Sequence, residues 1–272
     1  MRPLRLLLAL AALFLLAAAA ACGGGSASTP SARPSPPPAG HVRITYYGHS
    51  MFTIESPGGV TILTDPNQGI GYRAPRIPID VITVSHEHFD HNKIGIARGA
   101  LVIRGLDPDG GWANVDQTVG DVRIRVSRSF HDEDQGALRG KNAMFVFEVA
   151  GLRIVHAGDL GHGEQTFKDV QALHAFVPPT LDADVFMLPV GGHLTIGPQE
   201  ADEIIQNRHP KLVIPMHYRT AALHDFPDAD KLAPVDDFLQ GKTDVQRPGS
   251  SIVVGTDLPP GPAIAVLDPQ PD

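Results

Sequence analysis

The sequence predicts one α/β domain over residues 41–272, and three observations support this prediction. From His41 onward, short runs of β-branched and apolar residues alternate with turn residues, as strands and loops do. Residues 197–210 instead carry apolar residues at helical spacing. The 251 residues from Cys22 to the end suffice for one large domain with a substantial core. Strands mixed with helices indicate an α/β rather than an all-β domain.

The strand candidates follow one another along the chain. The first two, "VRITYYG" and "MFTIES", bracket "GHS", and "GG" then separates the second from "VTILTD", as in a hairpin. The later candidates are "IDVITVS", "ALVIRG", "DVRIRVS", "AMFVFEVAG", "LRIVHAGD", "ADVFMLPV" and "KLVIPMH". A helix is predicted over residues 197–210, where Pro198 suits a first helical position. A second helix is expected over residues 163–176.

The first 21 residues are expected to be an export signal. Arg2 and Arg5 precede an apolar run that is short for a membrane span, and Cys22 follows it. The stretch resembles a bacterial lipoprotein signal peptide, which implies a lipid on Cys22, although Ala19 stands where Leu is usual. The alternative is an ordinary secretory signal and a secreted protein. Residues 22–40, rich in Gly, Ser and Pro, are expected to form a disordered tether. The predicted location is extracytoplasmic, anchored to the membrane.

The cysteine count and the net charge exclude disulfide stabilisation and argue against a nucleic-acid partner. Cys22 is the single cysteine, so no intrachain disulfide can stabilise the domain. Without Arg2 and Arg5 there are 20 basic and 30 acidic residues, a net charge of −10. An acidic domain is not expected to bind nucleic acid through charge. The sequence leaves the oligomeric state open.

Several predicted strands end in residues of the kind that bind metals. His86, His131, Asp159 and His217 each stand at or just after a strand end, where ligand-binding residues of α/β folds commonly lie. The set of candidates comprises His86, His88, Asp90, His91, His131, Asp159 and His217. Imidazole and carboxylate suit zinc, manganese, iron or nickel. Seven groups are too many for one tetrahedral ion and suit two ions that share a bridging carboxylate.

Two other interpretations of "HEHFDH" compete with this one. The stretch begins like the zincin helix motif H-E-x-x-H, but Asp90 stands at its fifth position and "DVITVS" before it is a poor helix start. The stretch could also be a solvated polar loop with unrelated histidines. The pattern H-x-H-x-D-H directly after a strand favours a metal site over both.

The H-x-H-x-D-H pattern is similar to the signature of the metallo-β-lactamase superfamily. "SFHD", "HAGD" and "IPMHY" resemble the later metal motifs of that superfamily in the same order. "ITYYGHSMFTIES", "TILTDP" and "DVFMLPVGGHLTIGPQEA" resemble the branch of small metal-dependent hydrolases that includes the L-ascorbate-6-phosphate lactonases. The resemblance covers about residues 42 to 260. It implies a four-layer αββα sandwich with the site along one edge between two sheets.

The resemblance also implies roles for the candidate ligands. His86, His88 and His131 would bind a first ion, Asp90, His91 and His217 a second, and Asp159 would bridge them. The two divalent ions are expected to be zinc, with manganese, nickel or iron as alternatives. Asp90 would accept a proton from the attacking water or only fix it. The redox branch typically has an acid where His88 stands, so His88 favours hydrolysis. Leu160 replaces the threonine that usually follows the bridging aspartate.

Four further residues are candidates for contacts with the substrate or behind the metal ligands. His193, in "GGH" after a strand, is the first candidate for a contact with the substrate or leaving group. His49 is expected to line the site or support a ligand. His156 could hydrogen-bond behind the ligands or be a core histidine, and Tyr218 could reach an oxyanion or simply pack. Glu87 is expected to form a salt bridge.

The sequence therefore predicts a membrane-tethered binuclear metallohydrolase that acts on a small-molecule or lipid substrate. An ester, lactone, amide or phosphodiester is expected, and a β-lactam is less favoured. One alternative is a phospholipase D-type phosphodiesterase acting on envelope lipids. An alternative of another class is a non-enzymatic metal-binding lipoprotein, against which all seven ligand positions argue.

Overall fold

The computed structural model describes residues 32–163 and 183–271, and its strands form two mixed sheets. The first sheet has the order β13-β1-β2-β3-β4-β5. Its strands are β1 (His41–Gly48), β2 (Met51–Glu55), β3 (Thr61–Thr64), β4 (Val81–Val84), β5 (Leu101–Arg104) and β13 (Ser251–Gly255).

The second sheet has the order β12-β14-β11-β10-β9-β8-β7-β6. Its strands are β6 (Asp116–Val119), β7 (Val122–Phe130), β8 (Lys141–Val149), β9 (Leu152–His156), β10 (Val185–Pro189), β11 (Leu212–Met216), β12 (Val245–Gln246) and β14 (Ala263–Ala265).

Two α-helices lie in the described part of the chain, α1 (Pro198–Arg208) and α2 (Val235–Leu239). Pro198 is the first residue of α1, and the Glu200 carboxylate accepts a hydrogen bond from the Gly197 backbone N–H at 3.0 Å. α1 connects the parallel neighbours β10 and β11, so it crosses one face of the second sheet. Its buried residues Ala201, Ile204 and Ile205 join the main core.

Side chains of the first sheet point alternately into two hydrophobic cores, one on each face of the sheet. Tyr46, Phe52 and Ile62 point into the main core, which they share with β7 to β11 of the second sheet. The neighbouring residues along the strands, such as Met51 and Leu63, point into a second core. Loop residues around Ile70, Ile94 and Leu223 cover that outer face. The first sheet is therefore buried on both faces.

Strand direction brings the ends of particular strands to one edge. β1 and β3 are each antiparallel to β2, and β4 is parallel to β3, so β1, β3 and β4 run the same way. In the second sheet β7 and β9 are each antiparallel to β8, and β10 and β11 are parallel to β9. The carboxyl ends of these strands therefore meet at one edge of each sheet.

The predicted fold class is confirmed, as an αββα sandwich in which loops carry much of the outer layers. Every strand candidate forms a strand, the predicted hairpin is the β2–β3 pair, and the helix at residues 197–210 forms as α1. Five elements were not predicted from the sequence, namely β6, β12, β13, β14 and α2. Residues 164–176 of the second predicted helix lie outside the described residues.

Of the amino-terminal segments predicted from the sequence, the structure describes only residues 32–40. The signal segment and Cys22 lie outside the described residues. Residues 32–40, assigned to a disordered tether, are partly held against the domain: the Arg33 guanidinium donates to both carboxylate oxygens of Asp80, at 2.7 and 2.8 Å. At least Arg33 of this segment therefore contacts the folded domain. Within the described residues, no helix has the length and apolarity needed to cross a membrane.

Candidate metal centre

Six strand ends contribute side chains to one site at the meeting edges of the two sheets. From the first sheet, His49 follows β1, Asp65 follows β3 and the His86–His91 loop follows β4. From the second sheet, His131 follows β7, Asp159 stands three residues after β9, and His217 follows β11. Residues far apart in the chain thus converge because their strands run in the same direction.

His86, His88 and His131 form a first group. One nitrogen from each ring lies within 4.8 Å of the others. His86 Nε2 and His88 Nδ1 are 3.0 Å apart. Two nitrogens bound to one tetrahedral zinc ion at 2.0–2.1 Å are roughly 3.3 Å apart. The spacing of the first group therefore fits the coordination of one ion.

Asp90, His91 and His217 form a second group together with His49. Their four candidate ligand atoms also lie within 4.8 Å of one another. His49 Nε2 donates a hydrogen bond to Asp90 Oδ2 at 2.9 Å, and the His49 and His217 rings have centroids 3.8 Å apart. His49 thus supports Asp90 from within the site.

Asp159 lies between the two groups. Its Oδ2 is 3.1 Å from His91 Nε2, 3.2 Å from His131 Nε2 and 3.3 Å from His217 Nε2. It is also 3.8 Å from His86 Nε2. One carboxylate oxygen therefore faces imidazoles of both groups, as a bridging ligand must.

The turn that presents Asp159 is fixed from behind. The Asp159 backbone N–H donates to Asn142 Oδ1 at 3.0 Å. Gly158 has φ +56°, and a Cβ atom there would stand 2.4 Å from the same Asn142 oxygen. Glycine in the "AGD" turn therefore allows the close approach that holds Asp159 in place.

Several buried polar atoms of the cluster have no hydrogen-bond partner among the described residues. They include Asp159 Oδ1, His91 Nε2 and both ring nitrogens of His217. Leaving a buried polar atom unsatisfied costs about 1–3 kcal/mol, so such atoms are rare and require a reason. A bound metal ion would satisfy these nitrogen and oxygen donors, and the residues present fit that role.

Electrostatics also suit a cation. Burial lowers the pKa of His86 well below its ordinary value, so its ring is neutral and keeps a lone pair for a metal. Burial opposes ionisation of Asp90, but His91 and His49 hold its pKa below its usual range. Burial likewise opposes a charge on His91, yet Asp159 and Asp90 outweigh it and raise the His91 pKa well above its ordinary value. The carboxylates thus favour positive charge between them.

Asp65 belongs to the site but is not among the residues predicted from the sequence to form it. Its Oδ2 accepts hydrogen bonds from His91 Nδ1 at 3.0 Å and Ser85 Oγ at 2.5 Å, and its Oδ1 accepts from the Ser85 N–H at 2.8 Å. The available signal was an acid directly after the buried strand "TILT". Asp65 fixes the orientation of the His91 ring.

Three residues of the site have left-handed backbone although they are not glycines. His49, Asp65 and His217 have φ values of +60°, +37° and +53°. Such conformations are uncommon outside glycine and cost energy that the surrounding structure must supply. Each turns the chain sharply at a strand end, which aims the side chain at the cluster.

Of the four remaining residues predicted to contact the substrate or support the ligands, one lies in the cluster and three lie outside it. His49 lies in the site as expected, whereas His193 is exposed beside it and donates to Asp228 at 3.3 Å. His156 is a core histidine, since it donates to the Ser50 carbonyl at 2.8 Å and accepts from the Gly158 N–H. The oxyanion role considered for Tyr218 is wrong because its hydroxyl points to the Leu267 carbonyl, 3.3 Å away in the core.

Glu87 forms the salt bridge expected of it. Its carboxylate pairs with Arg104, and it also accepts from the Asn92 amide at 3.3 Å. Its side chain is half exposed and belongs to none of the groups of candidate ligand atoms. The acid that made the stretch resemble a zincin helix therefore stabilises a surface loop.

A cavity of about 310 Å³ opens in front of the cluster. His88, Asp90, His131 and Asp159 line part of it. Its other walls are Phe89, Arg139, Leu194, Phe226, Pro227 and Asp228. The cluster is therefore reachable by a small molecule.

Comparison with known proteins agrees with this geometry. Residues 43–217 match the family model described as a beta-lactamase superfamily domain. A UPF0173 metal-dependent hydrolase of Anaeromyxobacter dehalogenans is 32% identical to this chain, and the match covers 78% of this chain and 87% of that protein. Another from Symbiobacterium thermophilum is 34% identical over 66% of this chain and 85% of that protein.

A solved structure is also similar over most of the chain. A Thermotoga maritima protein, assigned as a zinc-dependent hydrolase of the metallo-β-lactamase superfamily, has a TM-score of 0.59 and 32% sequence identity. The match covers 83% of this chain and 98% of that protein. The fold, the sequence and the clustered histidine and aspartate side chains therefore all match proteins described as metal-dependent hydrolases.

Proposed function

The chain belongs to the metallo-β-lactamase superfamily and is a metal-dependent hydrolase, and we propose that it is a membrane-tethered, binuclear enzyme that cleaves an ester, a lactone or a phosphodiester. The observation that carries the binuclear proposal is the position of Asp159 Oδ2, 3.1–3.8 Å from imidazole nitrogens of both ligand groups.

The ligand assignment in this proposal uses the two groups. His86, His88 and His131 would hold the first ion, Asp90, His91 and His217 would hold the second, and Asp159 would be shared. His49 hydrogen-bonds Asp90 and is assigned as its support rather than as a ligand. Zinc is the favoured metal because the donors are imidazole and carboxylate, with manganese, nickel and iron as alternatives.

Bound ions of this kind supply a water of lowered pKa and polarise the oxygen that gains charge. Asp159 and Asp90 are the catalytic residues proposed from this chain. Asp90 Oδ2 is fixed by His49, so it can orient the attacking water and accept its proton. The water oxygen bonds to the acyl carbon or phosphorus, the bond to the leaving oxygen breaks, and that oxygen takes up the proton.

The position of the amino-terminal segment bears on the substrate. Arg33 is held by Asp80 and by the Gly59 carbonyl at the amino ends of β3 and β4. The metal centre lies at the opposite edge, at the carboxyl ends of the same strands. A tether from Cys22 through Arg33 therefore supports a soluble substrate, since the mouth of the site need not face the anchoring membrane.

A phospholipase D-type phosphodiesterase remains the second candidate. The observation in its favour is the apolar lip of the cavity, where Phe89 is 47% exposed and stacks with Phe226 at a ring-centroid distance of 6.1 Å. An acyl chain could lie on these rings. The alternative of a non-enzymatic metal-binding lipoprotein is disfavoured because every ligand position carries a competent side chain.

The first experiment measures metal content. Purified protein is expected to hold about two equivalents of zinc or another divalent ion, and less after Asp159→Ala or His88→Ala. Folded wild-type protein that binds no metal would refute the proposal.

The second experiment is a hydrolysis screen across lactones, carboxylic esters, phosphodiesters, thioesters and β-lactams, with zinc, manganese or nickel supplied. Asp90→Ala protein is the control. Turnover by the wild type that falls in the control supports the hydrolase, and hydrolysis only of long-chain phospholipids in vesicles would favour the second candidate. Full metal loading without any turnover would favour the binding protein.

A further inference from the structure

Apart from the candidate metal ligands, the wall of the cavity combines two chemistries. Phe89, Leu194, Phe226 and Pro227 make part of it apolar, and Arg139 makes part of it cationic. None of these five residues is among the candidate metal ligands. They are therefore free to contact whatever molecule reaches the cluster.

The apolar part is unusual for an exposed surface. Phe89 stands between two ligands of the histidine-rich loop, yet almost half of its surface is exposed. Phe226, from a distant segment, stacks beside it and is itself mostly buried, with 8% exposed. Exposed aromatic side chains that rim a concave site commonly mark ligand contacts.

Arg139 is the uncompensated charge of this wall. It is half-buried, and the contact that its guanidinium makes is a hydrogen bond from Nη2 to the His193 carbonyl at 3.3 Å. Among residues 32–163 and 183–271, no carboxylate lies within salt-bridge distance of it. Asp228, the acid of the same wall, forms an ion pair with Lys231 at 2.7 Å and accepts a hydrogen bond from His193 at 3.3 Å.

The loop that carries Arg139 is fixed by a buried carboxylate. Asp132, which is 2% exposed, accepts hydrogen bonds from the backbone N–H groups of Gly136 at 2.8 Å, Leu138 at 3.0 Å and Arg139 at 2.7 Å. The Arg139 backbone is thus held directly by this carboxylate. A guanidinium on a rigid loop loses less entropy on binding an anion than one on a mobile loop.

We propose that the substrate is a small amphiphilic organic anion, whose anionic group binds Arg139 and whose apolar group packs on Phe89 and Phe226. A guanidinium forms charge-assisted, often bidentate hydrogen bonds with carboxylate, sulfonate or phosphate groups. The cavity volume of about 310 Å³ limits the part of the molecule that enters it. This inference rests on the proposed hydrolase function and names the substrate class of the same site.

The test uses four esters that vary charge and chain length separately. They are the acetate and hexanoate of 4-nitrophenol and of 3-carboxy-4-nitrophenol. With the metal-loaded protein, Arg139→Ala is expected to lower kcat/KM for the carboxylated esters about 10- to 100-fold and for the neutral esters less than about threefold. Arg139→Lys is expected to retain part of the preference for the carboxylated esters, because lysine keeps the positive charge but lacks the planar guanidinium. Phe89→Ala is expected to cost the hexanoates about tenfold more than the acetates.

A binding measurement separates this inference from the hydrolase function. Calorimetric titration with 1-hexanesulfonate is expected to show binding to the wild type and to Arg98→Ala, which changes an exposed arginine outside this cavity, and a loss of at least about tenfold in Arg139→Ala. Equal binding to the wild type and Arg139→Ala, or equal loss of activity on charged and neutral esters, would overturn the inference. Arg139-dependent binding without hydrolysis of any ester would keep the anion site and count against the hydrolase.

Discussion

Asp65 and His91 are linked by a hydrogen bond in which His91 Nδ1 donates to Asp65 Oδ2 at 3.0 Å. Both side chains are fully buried. The bond leaves His91 Nε2 facing Asp159 Oδ2 at 3.1 Å. Asp65 thus determines which nitrogen of His91 is presented to the metal centre, although Asp65 is not itself assigned as a ligand.

Replacing Asp65 by Asn is expected to weaken metal binding by about 10- to 100-fold, because residues that orient metal-bound histidines typically have effects of this size. The amide keeps the volume but loses the charge and one acceptor. Competition titration with a chelator measures the affinity. Asp121→Asn is the matched control, since Asp121 bonds Ser56 and the Gly58 N–H on a surface turn. Equal metal affinity of both variants would contradict the role of Asp65.

Asp159→Asn and Glu87→Gln form a second pair. Both remove one carboxylate charge, but Asp159 faces four imidazoles whereas Glu87 pairs with Arg104 on the surface. Asp159→Asn is expected to lose bound metal, while Glu87→Gln keeps it and changes stability by less than about 1 kcal/mol. Elemental analysis after dialysis checks the first expectation, and urea unfolding checks the second. Equal metal content in both variants would argue against Asp159 as a bridging ligand.

Acid should destabilise the fold in part through His162. Burial lowers the pKa of His162 from 6.5 to about 4. Below pH 6.5 the unfolded chain takes up a proton at this residue that the folded chain does not, so stability falls between pH 6.5 and 4, by at most about 1.4 kcal/mol per pH unit. The free-energy cost of His162→Gln should therefore be larger at pH 7 than at pH 5.

Urea unfolding of the wild type and His162→Gln at both pH values measures this difference. Acid also protonates metal ligands, but that effect is present in both proteins and cancels in the comparison. A cost that is the same at both pH values would mean that His162 is not kept neutral by the fold.

Arg33→Ala should release the amino-terminal segment with little loss of stability. The Arg33 and Asp80 side chains are each 36% exposed, and exposed ion pairs contribute about 0–1 kcal/mol. Limited proteolysis should cut residues 32–40 faster in the variant, while the free energy of unfolding changes by less than about 1 kcal/mol. Unchanged protection in Arg33→Ala would show that other contacts hold this segment.

Much of the fold could be predicted from the sequence because the strands are strongly apolar and bounded by turn residues. Two of the four missed strands lack this signal: β6 is "DQTV", which is mostly exposed, and β12 has two residues. β13 is "SIVVG", which carries the apolar signal and was missed all the same. The short helix α2 begins after Pro234 and has five residues, too few for a helical repeat to be visible. Helical and strand periodicity need longer segments to be distinguished.

The sequence by itself determined the candidate metal ligands, because H-x-H-x-D-H and the later histidine and aspartate motifs stand at strand ends that the apolar pattern reveals. Only the tertiary structure decided how they are supported. Asp65 and His49 reach the cluster because β1, β3 and β4 run in the same direction, and no local pattern encodes that pairing. Arg139 and Phe226 meet in one cavity for the same reason: contacts between distant segments depend on how the two sheets pack, not on spacing along the chain.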